Sequence, residues 1–161
     1  MSYQVFYWIH IVSYIAWLLA FVGSLFYGTK VRSEDDAVQK RKFMRSERLT
    51  TSIGAHIGAL GILISGGAMT SIPSGPQWGW MNFQLYPWLA VKQILFFIIL
   101  VLVVFSRKRS RAFKKRMRQE EDVLSTETSE KWNSAYRMSM AVYVLVVINT
   151  ILGLFKFNLG F

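Results

Sequence analysis

The 161-residue chain has no cysteine, two histidines and three prolines. Missing thiols exclude a disulfide scaffold, a thiolate zinc or iron–sulfur centre and a cysteine nucleophile. Two histidines cannot form a three-histidine metal site without help from carboxylates. Acids are scarce as well, nine against 19 Lys and Arg. The sequence shows no glycine-rich phosphate loop, paired catalytic carboxylates or nucleophile elbow, which argues against a soluble enzyme.

Apolar residues are plentiful. They make up 53% of the chain, with 16% aromatic, and so exclude disorder. The charges fall into two blocks. Segment 28–48 holds seven basic and four acidic residues, and segment 106–137 holds ten and five, leaving only Lys92 and Lys156 elsewhere. A soluble globule would spread charge over every surface element, whereas here four long apolar stretches are left free of acid. The pattern predicts an all-α integral membrane protein, a four-transmembrane-helix bundle in one domain.

A span needs ~20 mostly apolar residues. Segments of about 4–27, 49–69, 86–105 and 138–157 supply them. No basic residue precedes the first run and aromatics crowd its start, which fits a span better than a signal peptide. Segments 28–48 and 106–137 read as basic cytoplasmic loops, with both termini and connection 70–85 outside. That connection carries no charge; it has turn formers (Pro73, Gly75, Pro76, Gly79) and, with Tyr7, Trp8, Tyr86 and Trp88, Trp78 and Trp80 form an outer aromatic belt. Segment 107–118 has eight basic residues in twelve. It reads as an anchor on anionic lipid rather than a nucleic-acid interface. Segment 119–130 reads as a mobile or amphipathic part of the second inner loop.

Polar residues inside spans mark the bundle interior. Tyr3, His10, Tyr14, Trp17, Phe21 and Ser24 share one face of the first span. In the second, Ser52, His56, Ala59, Leu63 and Gly67 form one stripe. Gly54, Gly58, Gly61 and Ser65 form a second, small-residue stripe, open to close approach by another helix or a flat ligand. In the fourth, Met138, Val142, Leu145, Asn149, Gly153 and Lys156 align.

Lys92 is the costliest of these groups. It lies ~9 Å below the outer boundary at 1.5 Å per residue. No Asp or Glu falls in the four predicted spans or the outer connection. The amine is therefore expected to snorkel outward, to be neutral, or to meet an acidic ligand. His10 and Asn149 lie in the same outer half. His56 lies toward the inner side, a vertical gap of ~10 Å from His10, whereas two ligands of one haem need similar depths.

Three motifs carry a resemblance. His10 precedes Trp17 by seven residues, the second span is approached by Phe43-Met-Arg-Ser-Glu-Arg-Leu49, and the third opens Trp88-Leu-Ala-Val-Lys92. They resemble the HemJ-type protoporphyrinogen oxidases and the wider CopD-like membrane family. The last span departs from that pattern, because Trp132-Asn-Ser-Ala-Tyr136 keeps only the Asn of an Asn-Glu-x-Pro element. The resemblance implies a haem b protein of the bacterial inner membrane. In HemJ itself it implies oxidation of protoporphyrinogen IX, with electrons passed toward the respiratory chain, so a porphyrin or quinone is the expected partner. It places His10 as haem ligand or neighbour and Lys92 at a tetrapyrrole propionate or as second ligand. Trp17 and Tyr14 would pack on the ring, Asn149 would share their tier, and His56 is a further candidate for the iron. Two other readings stand beside it, a CopD-like metal or small-molecule transporter and a non-catalytic assembly subunit. The glycine-rich face leaves homo-oligomerisation open.

Overall fold

A computed structural model describes residues 2–75, 78–120 and 124–155. They form four helices, α1 Tyr3–Ser33, α2 Ala37–Ser71, α3 Pro87–Gln119 and α4 Thr126–Leu154. Lys156, and with it the end of the predicted fourth span, lies outside the described residues, as does Pro76. Each helix is long and apolar enough to cross a bilayer. The outward faces are apolar, Leu19 being 66% and Ile64 61% exposed, as contact with lipid hydrocarbon requires.

Local chemistry sets the helix boundaries. Asp36 caps α2 by accepting from the backbone N–H of Val38 and Gln39, and Ser125 caps α4 by accepting from that of Thr128. Pro87 begins α3, where its missing N–H costs nothing.

Cross-helix contacts define an up-and-down bundle of two antiparallel pairs. On α1 and α2 a Cβ added at Gly54 would lie 2.1 Å from Ala20 Cβ, one at Gly58 2.6 Å from the Trp17 ring, and one at Gly61 2.0 Å from Ser13 Oγ. The small-residue stripe of α2 therefore receives α1, not a flat ligand. On α3 and α4, Ser106 meets Ser139, Arg109 meets Ser134 and Arg116 meets Glu127. The shared core runs through mid-bundle, with Trp17, Ile99, Tyr143 and Val146 at its centre and Phe21 stacked on Tyr143 at 5.0 Å.

The helices do not stop where the apolar runs stop. At 1.5 Å per residue, 29 to 35 residues reach ~44–53 Å, beyond a ~30 Å hydrocarbon core. The charged segments read as loops are largely helical, with a tight connection at 34–36. They have their own apolar core of Val31, Met44, Phe113, Met117, Trp132 and Tyr136. The apolar face in these segments is narrow and surrounded by charge, so average hydropathy hides it. The pairs Phe113/Met117 and Trp132/Tyr136, each four apart, were its signal.

Two charged residues of the predicted first loop are buried instead. Glu47 is 0% and Arg48 1% exposed. The carboxylate accepts from Ser24 and Thr51, from Trp132 Nε1–H at 3.2 Å, and from the Arg48 guanidinium. Arg48 also donates to Ser110 and Ser139, both at 3.2 Å. One ion pair thus joins all four helices. At the surface nearby, Lys131 and Arg116 both bond Glu127 and hold its carboxyl below the usual carboxylate range. Its small contribution is present at neutral pH and lost as pH falls through that lowered value.

Candidate functional site

At the end opposite the charged core, where loop 72–86 joins α2 to α3, the two helix pairs enclose a mainly apolar cavity of about 500 Å³. That lies within the ~300–1,000 Å³ range of small-molecule sites. His10 and Tyr14 of α1, Lys92 of α3 and Asn149 of α4 all line it. The sequence-predicted tier of polar groups is therefore brought together, with the Tyr14 ring 5.1 Å from the His10 ring.

Each polar group has a defined setting. His10 Nδ1 lies 2.8 Å from Ser65 Oγ, and the Ser65 hydroxyl donates to the carbonyl of Gly61. Ser65 oxygen thus accepts from His10 Nδ1–H, which makes Nε2 the nitrogen that carries the lone pair when the imidazole is neutral. Metal-binding imidazoles are oriented in this way, the second nitrogen held by an outer partner. Gly66 leaves room beside the ring, because a Cβ there would sit 3.5 Å from His10 Cε1. Lys92 Nζ does not snorkel clear of the bundle. It lies 5.3 Å from the Tyr14 ring centre, and a Cβ on Gly153 would come within 2.5 Å of it. Asn149, 1% exposed, has an Oδ1 with no hydrogen-bond partner among the described residues, and the Tyr14 hydroxyl is in the same state. Unmet buried polar atoms at a cavity wall are what the polar atoms of a ligand would satisfy.

Aromatic side chains close the cavity toward the loop. Trp78 packs edge-on to Trp88 at 5.7 Å and to Tyr3 at 6.4 Å. Gln93 pins the loop by accepting from Met81 N–H at 2.7 Å, where Met81 has a left-handed backbone (φ 51°).

Two predicted residues are not brought here. His56 and Trp17 line a separate, smaller cavity toward the charged core. His10 stands level with Ser65, nine residues along α2 from His56, which is ~13–14 Å of helix rise. Two metal–nitrogen bonds of about 2 Å each require ligands about 4 Å apart. The pair His10 and His56 therefore cannot clamp one iron, and Trp17 packs in the core against Gly58 rather than on this cavity. Sequence reasoning missed Ser65 as a partner of His10. Its place in the small-residue stripe, on the face that meets α1, was the available signal.

The donor set suits a macrocycle with acidic arms. One imidazole held through Nδ1 lines the cavity, one cation stands across it, and aromatic side chains are in its walls. Comparison of the chain with protein-family models, with curated proteins and with solved structures finds no match.

Proposed function

We propose that the protein is a membrane-embedded haem b-binding redox protein and that the cavity at the loop 72–86 end is its tetrapyrrole site. The convergence of His10, Tyr14, Lys92 and Asn149 on one cavity of about 500 Å³ carries this reading. Haem supplies one-electron chemistry when bound. The chain's own residues then have distinct tasks. His10 would hold the haem iron through Nε2, with Ser65 fixing the imidazole by taking up Nδ1–H. Lys92 holds an acidic arm of the ring. Asn149 and Tyr14 bond the polar edge of the bound molecule, and Trp78 and Trp88 keep water out. Protoporphyrinogen IX, a puckered tetrapyrrole with two carboxylate arms, or a quinol is the proposed electron donor, in keeping with the HemJ resemblance. The charged core faces the cytoplasm of a bacterial inner membrane, with the cavity on the periplasmic side.

A visible spectrum of the detergent-purified protein tests this. Wild type from haem-replete cells is expected to show a Soret band, His10→Ala to lose it, and His56→Ala to keep it. Ser65→Ala is expected to weaken haem retention by about tenfold, the low end of outer-partner effects on metal sites. A colourless wild type would refute the proposal. Met69, buried and on the same wall, favours a CopD-like metal carrier as the second reading. That reading expects copurifying metal without a Soret band.

A further inference from the structure

We infer that the smaller cavity, beside the charged core, is a second binding site that takes the phosphoryl group of an anionic ligand. It encloses about 160 Å³, and all four helices contribute to it. Arg107, Arg111 and Lys114 form one side, spaced by four and three residues on a single face of α3. No Asp or Glu lines the cavity. Among the described residues, none of these three cations has a hydrogen bond or ion pair to the protein, whereas Arg109 on the same helix bonds Ser134 and Arg116 bonds Glu127.

Two uncharged donors share the lining with them. Ser110 Oγ already accepts from Arg48, which leaves its O–H to donate. Trp17, 1% exposed, lines the cavity, and its Nε1–H, a donor with no accepting ability, has no partner among the described residues. A buried donor left unmet is costly, so its presence beside three cations points to a ligand made of acceptors. Phosphoryl oxygens are acceptors only when ionised, and two guanidinium forks match their geometry.

Position and size narrow the ligand further. Ser106 and Arg107 mark where the apolar run of α3 gives way to charge, which is the level of lipid headgroups. A volume of 160 Å³ suits a headgroup phosphate and not a whole lipid. The exposed apolar flank of Ile53 and Ile57, next in chain to the lining residues Ser52 and His56, would receive an acyl chain.

The test uses the full-length protein in detergent with two probes, phosphatidylglycerol and inorganic phosphate. Native mass spectrometry counts retained lipid, and thermal unfolding follows phosphate titration. Wild type is expected to retain phosphatidylglycerol, and Arg107→Ala/Arg111→Ala to bind it about tenfold more weakly, the loss of charge-assisted contacts. The control Lys108→Ala/Lys115→Ala removes the same charge from α3 away from the cavity and is expected to bind as wild type does. Saturable stabilisation by phosphate that is lost in the Arg variant but not in the control would support the site and assign it a soluble phosphate compound. Equal loss in both double variants, or no saturable response to either probe, would overturn the proposal.

Discussion

Arg48→Ala is expected to lower stability by about 3–5 kcal/mol, the usual cost of removing one member of a buried ion pair. The substitution leaves the Glu47 carboxylate fully enclosed, with Ser24, Thr51 and Trp132 still donating to it but no cation beside it. It also takes from Ser110 and Ser139 the guanidinium that joins α3 and α4 to α2. The double variant Glu47→Leu/Arg48→Leu is expected to be less damaging than Arg48→Ala alone, because two apolar side chains leave no stranded charge. Thermal or denaturant unfolding in a fixed detergent measures both. If Arg48→Ala cost under about 1 kcal/mol, the pair would be behaving as a solvated surface bridge rather than a desolvated one.

Gly54→Ala is the second substitution with a large expected effect. Its new methyl would lie 2.1 Å from Ala20 Cβ, and the obstacle is a short side chain on a packed helix, so neither side can swing away. The α1–α2 pair must separate, at a cost of about 1–3 kcal/mol or more. Restoring the space should restore the protein. Ala20→Gly/Gly54→Ala moves the methyl from one helix to the other and is expected to recover most of the loss. Gly153→Ala is the contrasting case, since the atom in its way is Lys92 Nζ at the end of a flexible side chain. It is expected to change stability little. Strictly additive losses in the Ala20/Gly54 pair would show that close helix contact is not the cause.

Much of this architecture can be read from the chain alone, because lipid punishes polar exposure and so sorts residues sharply. Long acid-free runs mark the spans, and His10, Tyr14, Lys92 and Asn149 stand out because nothing in hydrocarbon explains them. The structure places all four around one cavity. Glu47 and Arg48 were hidden for the converse reason. They sit among other charges, where burial leaves no trace in composition, and only the three-dimensional arrangement shows that Ser24, Ser110, Trp132 and Ser139 turn toward them. The stripe of Gly54, Gly58 and Gly61 shows the third limit. Its small residues announce a close approach but not the identity of what approaches, and that turned out to be α1. His56 and His10 look equivalent by residue type, and only the helix register separates them.

The placement of the four-helix ion pair makes the two ends of the molecule mechanically unequal. Charge-assisted bonds from Arg48 and Glu47 fasten the pairs at one end, whereas around the larger cavity they face one another across aromatic and aliphatic surface. The pairs are thus stapled by charge at one end and tied by the chain itself, through loop 72–86, at the other. Between the pairs at the cavity end the contacts are largely dispersion contacts, which lipid tails replace almost in kind, so the charged end contributes more to holding the pairs together.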